Sequence, residues 1–173
     1  MNYNSENEIK LRRHRNNLAG CGSGFILFGL WSAIKTFMQT MFDKTVLKEI
    51  KDATEISSED MFFFNIIVVI ILFIIAAFVI LLHLYIGAGA IRYSKGKEKK
   101  GFLVLAAITF LAILCMMPSY FNSAKEGLEH IDTIIVSAAA DIMVLFILAD
   151  MFYSVTQIKK LTASGTKEDG DAG

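Results

Sequence analysis

The sequence predicts an all-α integral membrane protein, a bundle of four antiparallel transmembrane helices, and two observations carry that prediction. The 173 residues are 54% hydrophobic, above the share of about 45–50% that is usual in soluble domains. The apolar residues also form long blocks, and between residues 61 and 91 the only ionisable side chains are His83 and Tyr85. A block of about 20 apolar residues is long enough for one helix to cross a bilayer. The pattern excludes a soluble globular enzyme and a disordered chain.

Four apolar blocks define the predicted helices. The spans are residues 18–42, 62–88, 101–120 and 134–158. Each is long enough, at about 1.5 Å per residue, to cross a hydrocarbon core of about 30 Å. The second and third spans are joined by a short polar turn broken by Gly96 and Gly101, so they form a helical hairpin. The four spans make one predicted membrane domain, residues 1–161.

Basic residues predict the orientation of the bundle, because lysine and arginine accumulate in cytoplasmic segments. The basic residues of the first and third connections are only four: Lys44, Lys48, Lys51 and Lys125. The N-terminal segment, the second connection and the C-terminal segment carry Lys10, Arg12, Arg13, Arg15, Arg92, Lys95, Lys97, Lys99, Lys100, Lys159, Lys160 and Lys167. Both termini are therefore predicted to be cytoplasmic. The abundance of Asn, Ile, Lys and Phe favours a bacterial cytoplasmic membrane.

The two cytoplasmic ends have different compositions. Ser5 and Glu8 form a capping box that opens a basic stretch ending at Asn16. This stretch is either a helix on the membrane surface or a solvated charged arm. Residues 162–173 are small, polar and charged, and we expect them to form a disordered tail.

On the outer side, helices 1 and 4 are predicted to extend beyond the membrane. Residues 44–54 continue the first helix without glycine or proline. Pro118 is expected to end the third span, because proline disrupts helical hydrogen bonding. The capping box at residues 123–126 is then expected to start the fourth helix near Ala124.

Ionisable residues within spans are candidates for function because an ion in the membrane interior is costly. Their depths predict two pairs, Lys35 with Asp141 towards the outside and His83 with Asp150 towards the cytoplasm. One interpretation is an ion path along span four that uses both aspartates. Asp141 and Asp150 are nine residues apart, which places them about 180° apart around a helix. Structural pairing is therefore the favoured interpretation.

Small residues predict where helices pack. Gly20 and Gly24 open the first span, and Gly87 and Gly89 close the second. Glycine lets helix backbones approach closely in lipid, so these clusters are expected to pack spans one and two together. Cys21 and the remaining cysteine, Cys115, are predicted near opposite membrane faces, too far apart for a disulfide. Both are interpreted as buried apolar thiols.

Three classes of function remain open. The first is a non-catalytic structural or accessory subunit that associates through its helices with another copy or another membrane protein. The second is a small oligomeric channel or transporter that uses Lys35, His83, Asp141 and Asp150. An intramembrane enzyme is the least supported, because no nucleophile–base pair is visible. No metal or cofactor is expected, and zero net charge gives no electrostatic case for a nucleic-acid partner.

Overall fold

The computed structural model describes residues 3–42, 61–97, 100–126 and 131–170. Its secondary structure there consists of four α-helices: α1 Tyr3–Phe42, α2 Met61–Ser94, α3 Gly101–Glu126 and α4 Ile131–Gly170. Each helix contains a segment long and apolar enough to cross a membrane. These segments are Glu6–Lys35, Phe62–Ser94, Gly101–Ser119 and Ile134–Ser164. The predicted all-helical class and the four helices of spanning length are confirmed.

The chain divides into two compact units, and each is described by itself. The first unit comprises Met1–Phe25 with Tyr85–Gly173, and the second comprises Ile26–Leu84. The boundary therefore cuts across α1 and α2 rather than through a loop. The largest fully buried side chains all belong to the first unit: Leu18, Phe25, Ile86, Phe102, Leu148, Met151 and Ser154. The single domain predicted over residues 1–161 stays a prediction.

One glycine determines the turn after α2. Gly96 has a φ of 82°, in the left-handed region that only glycine adopts without strain. Its N–H donates to the carbonyl of Tyr93 at 3.0 Å, and the N–H of Lys97 donates to the carbonyl of Arg92 at 3.2 Å. This pair of bonds is a Schellman motif, which ends a helix by satisfying its last carbonyls. The predicted break at Gly96 is confirmed, and α3 begins at the predicted Gly101.

The end of the third helix differs from the prediction. Pro118 lies inside α3, which continues to Glu126. Membrane helices tolerate an interior proline where hydroxyl side chains and local adjustment satisfy the backbone. The hydroxyl of the next residue, Ser119, donates to the carbonyl of Met116 at 2.6 Å. This bond is a local adjustment beside the one that Pro118 cannot make to Leu114. The prediction that Pro118 ends this helix is wrong.

The start of the fourth helix also differs from the prediction, because the third helix is longer than expected. Residues 123–126 lie in the last turns of α3, and α4 begins at Ile131. The capping-box pattern is local, and here the preceding helix continues through it instead of stopping. A start near Ala124 is therefore wrong. The predicted extension of the first helix over residues 44–54 lies outside the described residues.

The basic N-terminal stretch is part of α1. This helix begins at Tyr3 and runs without a break into the apolar segment. Ser5 therefore lies inside the first turn of this helix and not before it. Lys10 pairs with Glu6 one turn earlier at 2.7 Å, a spacing that stabilises helices modestly. Neither a separate surface helix nor a free arm is observed.

The other end of the chain also differs from expectation. Residues from Thr162 onward were expected to be disordered, whereas α4 continues to Gly170. The hydroxyl of Thr162 donates to the carbonyl of Ile158 at 2.8 Å, and that of Ser164 donates to the carbonyl of Lys160 at 3.0 Å. These side chains bond back onto the preceding turn, so they are compatible with a continued helix.

Candidate functional site

Four polar side chains meet between α1 and α4, and we call them the Asp150 cluster: Asn17, Cys21, Asp150 and Ser154. Asn17 and Cys21 are one turn apart on α1, and Asp150 and Ser154 are one turn apart on α4, so each pair shares a helix face. Asn17 Nδ2 lies 2.9 Å from each carboxylate oxygen of Asp150 and 3.1 Å from Ser154 Oγ. Cys21 Sγ donates to Asp150 Oδ2 at 3.3 Å. Both carboxylate oxygens are thus bonded to α1.

The cluster borders the most tightly packed part of the first unit. Ser154 is fully buried, as are Met151 and Leu148 on α4 and Leu18 on α1. Asp150 is half-buried. Asn17 is exposed, so its bonds to Asp150 lie at the edge of the helix contact. A hydrogen bond to a charged group contributes about 1.5–3 kcal/mol. The arrangement is therefore suited to holding α1 against α4.

Sequence reasoning singled out Asp150 but missed its partners on α1. Asn17 lies one residue before the predicted span, which began at residue 18, so it was not considered as a membrane residue. Cys21 was interpreted as an apolar thiol, whereas its thiol is half-buried and hydrogen-bonded. The i, i+4 spacing of Asn17 and Cys21 was the signal available in the sequence. Cys115 is exposed on α3, which corrects its assignment as buried, and both thiols are free.

His83 belongs to the second unit and was predicted to pair with Asp150. Its Nδ1 lies 2.8 Å from the carbonyl of Val79, one turn earlier on α2. The imidazole also packs directly over Gly29 of α1, and a methyl group added there would overlap the His83 Cβ and Cγ atoms. Because His83 and Asp150 lie in different units, their pairing stays a prediction.

The other predicted pair also has one member in each unit. Lys35 lies in the second unit and Asp141 in the first. Both side chains are half-buried, and both take part in interactions within the chain. The pairing of Lys35 with Asp141 stays a prediction.

Close helix approaches occur at two glycines of the first unit. A methyl group added to Gly22 would lie 2.7 Å from the Gly87 carbonyl oxygen and 3.1 Å from Ala90 Cβ. One added to Gly89 would lie 2.5 Å from Phe102 Cβ. The first contact brings α1 against α2, and the second brings α2 against α3. Glycine is required at both positions because no side chain fits.

The other two predicted packing glycines have more room. A methyl group on Gly24 would make an ordinary contact, 3.7 Å from Ile147 Cδ1, and one on Gly20 would have nothing within 4 Å. The close approach of α1 therefore falls at Gly22, between the two glycines singled out from the sequence. Gly20 lies on the exposed side of the same helix.

An open groove of about 710 Å³ adjoins the Asp150 cluster at Asn17. Its lining residues are Lys10, Arg13, His14, Asn17, Tyr153 and Gln157. His14 and Tyr153 make an edge-to-face contact with ring centroids 5.7 Å apart. Within the described residues, no three His, Cys, Asp or Glu side chains are grouped to hold a metal ion. The side chains that line the groove, including Lys10, Arg13 and Asn17, are mostly hydrogen-bond donors.

The fold and this site define an all-helical protein with four helices able to cross a membrane and a polar cluster joining α1 to α4. Compared with protein-family models, curated proteins and solved structures, the chain matches none.

Proposed function

We propose that this chain is a four-span antiparallel membrane protein that acts as a non-catalytic structural or accessory subunit through helix–helix association. The observation that carries the proposal is the Asp150 cluster. Both carboxylate oxygens of Asp150 accept hydrogen bonds from α1. A carboxylate used in this way stabilises the contact between two helices, which is a structural role rather than that of an open ion-binding group.

The arrangement of basic residues supports a topology with both termini in the cytoplasm. Arg15 from the N-terminal segment, Lys97 from the turn after α2 and Lys159 near the end of α4 line one cavity. Three segments predicted from the sequence to be cytoplasmic therefore meet at one place. The positive-inside rule assigns that end to the cytoplasm.

Labelling of single cysteines tests this topology. In a chain carrying Cys21→Ser and Cys115→Ser, a cysteine introduced by Lys97→Cys should be protected from an impermeant maleimide added outside. A cysteine introduced by Lys51→Cys should react. The serine at position 21 keeps a donor for Asp150. The reverse labelling pattern would contradict the proposed orientation.

The surface that α1 leaves open at Gly20 supports association with a second membrane helix. Gly20 and Ser23 are exposed and one turn apart, and among the described residues nothing lies within 4 Å of a methyl group added to Gly20. Small residues on a membrane helix allow another helix to approach closely. A second copy of this chain is the partner that can be tested directly.

Energy transfer between donor- and acceptor-labelled copies in liposomes tests the association. We expect transfer above that of a monomeric control protein, and a clear reduction in Gly20→Ile with unchanged thermal stability. Ala112→Ile is the matched control, because Ala112 is an exposed small residue on α3. Absence of transfer, or equal loss in both variants, contradicts self-association through this face.

In the channel or transporter alternative, Asp150 takes part in ion movement instead of holding two helices together. Proteoliposomes loaded with a pH- or potential-sensitive dye should show no protein-dependent flux of H⁺ or K⁺ if the cluster is structural. A flux that is present in the native chain and lost in a folded Asp150→Asn variant would replace the structural proposal with the channel alternative.

A further inference from the structure

A second cavity in the first unit collects positive charge from three separate segments. Its volume is about 290 Å³. The cationic lining residues are Arg15 on α1, Lys97 and Lys100 from the connection between α2 and α3, and Lys159 on α4. We call it the Arg15 cavity. No carboxylate is found among its described lining residues, so the charged side chains described there all have the same sign.

Arg15 shows that the cavity is incomplete as a hydrogen-bonding site. Its Nε is buried and has no hydrogen-bond partner among the described residues. An unsatisfied buried donor is costly, and more so when the group is charged. Arginine is always protonated, so this cost cannot be relieved by loss of a proton. An anion bound in the cavity would compensate the positive charge of this guanidinium.

The shape and chemistry of the donors favour phosphate. A guanidinium presents a planar fork of N–H groups that matches phosphate oxygens, and lysine ammonium groups add further charge. Lys100 immediately precedes Gly101, the first residue of α3, and the N-terminus of a helix attracts anions through its free amides and dipole. Among the lining residues, the cavity thus combines four cations with one helix terminus.

Part of the remaining wall is apolar and fits a lipid better than a small ion. Tyr93 and Ile158 line the cavity, and both side chains are buried. The cavity also lies at the ends of apolar segments, since the spanning segment of α2 ends at Ser94 and that of α3 begins at Gly101. Lipid headgroups lie at this level in a bilayer.

We propose that the Arg15 cavity binds a phosphate group, supplied by the headgroup of an anionic phospholipid. Basic pockets between membrane helices on the cytoplasmic side are suited to such headgroups. The basic residues that predicted orientation then have a second role as lipid ligands. The inference rests on the membrane location, but it is independent of self-association and of the Gly20 surface.

Lipid titration followed by native mass spectrometry tests the proposal. Short-chain phosphatidylglycerol is added to the purified full-length protein in a neutral detergent, and phosphatidylcholine is titrated in parallel. We expect phosphatidylglycerol to bind more tightly. Arg15→Gln should weaken its binding roughly fivefold or more, since each basic residue contributes about 1 kcal/mol to binding an anionic lipid surface.

Two further variants keep the result interpretable. Arg12→Gln removes the same charge from an exposed position of the same helix that does not line the cavity, and it should leave the affinity nearly unchanged. Lys159→Gln changes an exposed side chain of α4. It should weaken binding as Arg15→Gln does, even if Arg15→Gln itself does not fold.

Inorganic phosphate distinguishes the two sources of the ligand. We expect phosphate to compete with phosphatidylglycerol only weakly, because it cannot use the apolar wall of Tyr93 and Ile158. Binding of inorganic phosphate as tight as that of the lipid would overturn the lipid as the source. Equal weakening in Arg12→Gln and Arg15→Gln, or equal binding of both lipids, would overturn the site itself.

Discussion

The two units of the chain differ in what holds their helices together. In the first unit, α1 and α4 are joined by hydrogen bonds to Asp150, and α1 crosses α2 at Gly22 with no room for a side chain. In the second unit, the buried side chains include Ala33, Leu72 and His83. Exposed apolar side chains occur in both units, for example Phe62 (69% exposed) in the second and Phe146 (71% exposed) in the first.

This difference follows from the nature of a bilayer as a solvent. Lipid tails are as apolar as leucine or phenylalanine, so burying such residues against another helix brings little advantage. Close packing at small residues and hydrogen bonds between helices remain as the specific interactions. The first unit has both, as the Asp150 cluster and the Gly22 contact illustrate. The second unit has close packing at Gly29 against His83. Its exposed phenylalanines, like Phe146 of the first unit, suit an apolar surrounding.

The largest expected effect is the difference between Gly20 and Gly22, where substitution by alanine should change the stability in opposite directions. Gly22→Ala should destabilise the protein by about 1–3 kcal/mol, because the added methyl group meets the backbone carbonyl of Gly87 and overpacking carries this cost. Gly20→Ala should stabilise it by about 0.5–1 kcal/mol, since alanine is the better helix former. Unfolding in detergent with increasing denaturant measures both. Equal effects at the two positions would contradict the crossing at Gly22.

An intermediate effect is expected in the second unit at Gly29. Gly29→Ala places a methyl group against both the Cβ and the ring of His83. Because the Cβ moves only with the backbone, the two helices must shift apart there, which should cost at least about 1 kcal/mol. In a His83→Gly background the cost of Gly29→Ala should largely disappear, because both the Cβ and the ring that obstruct the methyl group are then absent. The same unfolding assay applies. A loss that persists in the double variant would show that Gly29 is needed for another reason.

The smallest effect is expected for the pair predicted from sequence, Lys35 with Asp141. If the two charges compensate each other, Lys35→Met and Asp141→Asn should each destabilise the protein, and the double change should recover part of the loss. Interhelical hydrogen bonds in membranes average about 0.6 kcal/mol, so the sign of the coupling is the result of interest. Strictly additive losses would show that the two residues are not paired.

The elements that sequence could predict depend on local or compositional signals. The four helices follow from apolar blocks, and the break at Gly96 follows from the freedom of glycine to adopt a positive φ. The end of α3 and the start of α4 were missed, because Pro118 and the pattern at residues 123–126 are compatible with either a break or a continued helix. Local patterns cannot decide which of the two forms.

The candidate site could be predicted only in part. Asp150 was identified because a carboxylate within a span needs compensation. Its partner Asn17 depends on which face of α1 meets α4, and a single sequence does not contain that rotation. The same limit explains why Gly20 was singled out although Gly22 makes the close contact. Spacing along a helix identifies the residues that share a face, but not the helix which that face contacts.

A double-mutant cycle between Asn17 and Asp150 tests the central claim most directly. Asn17→Leu and Asp150→Leu are measured alone and together by reversible unfolding of the full-length protein in detergent. Removing Asn17 alone leaves the Asp150 carboxylate without its α1 amide donor and should cost about 1–3 kcal/mol. The double change should cost less than the sum of the single changes, with a coupling of about 0.6–1.7 kcal/mol. Additive single effects would contradict a structural role of the Asp150 cluster in joining α1 to α4.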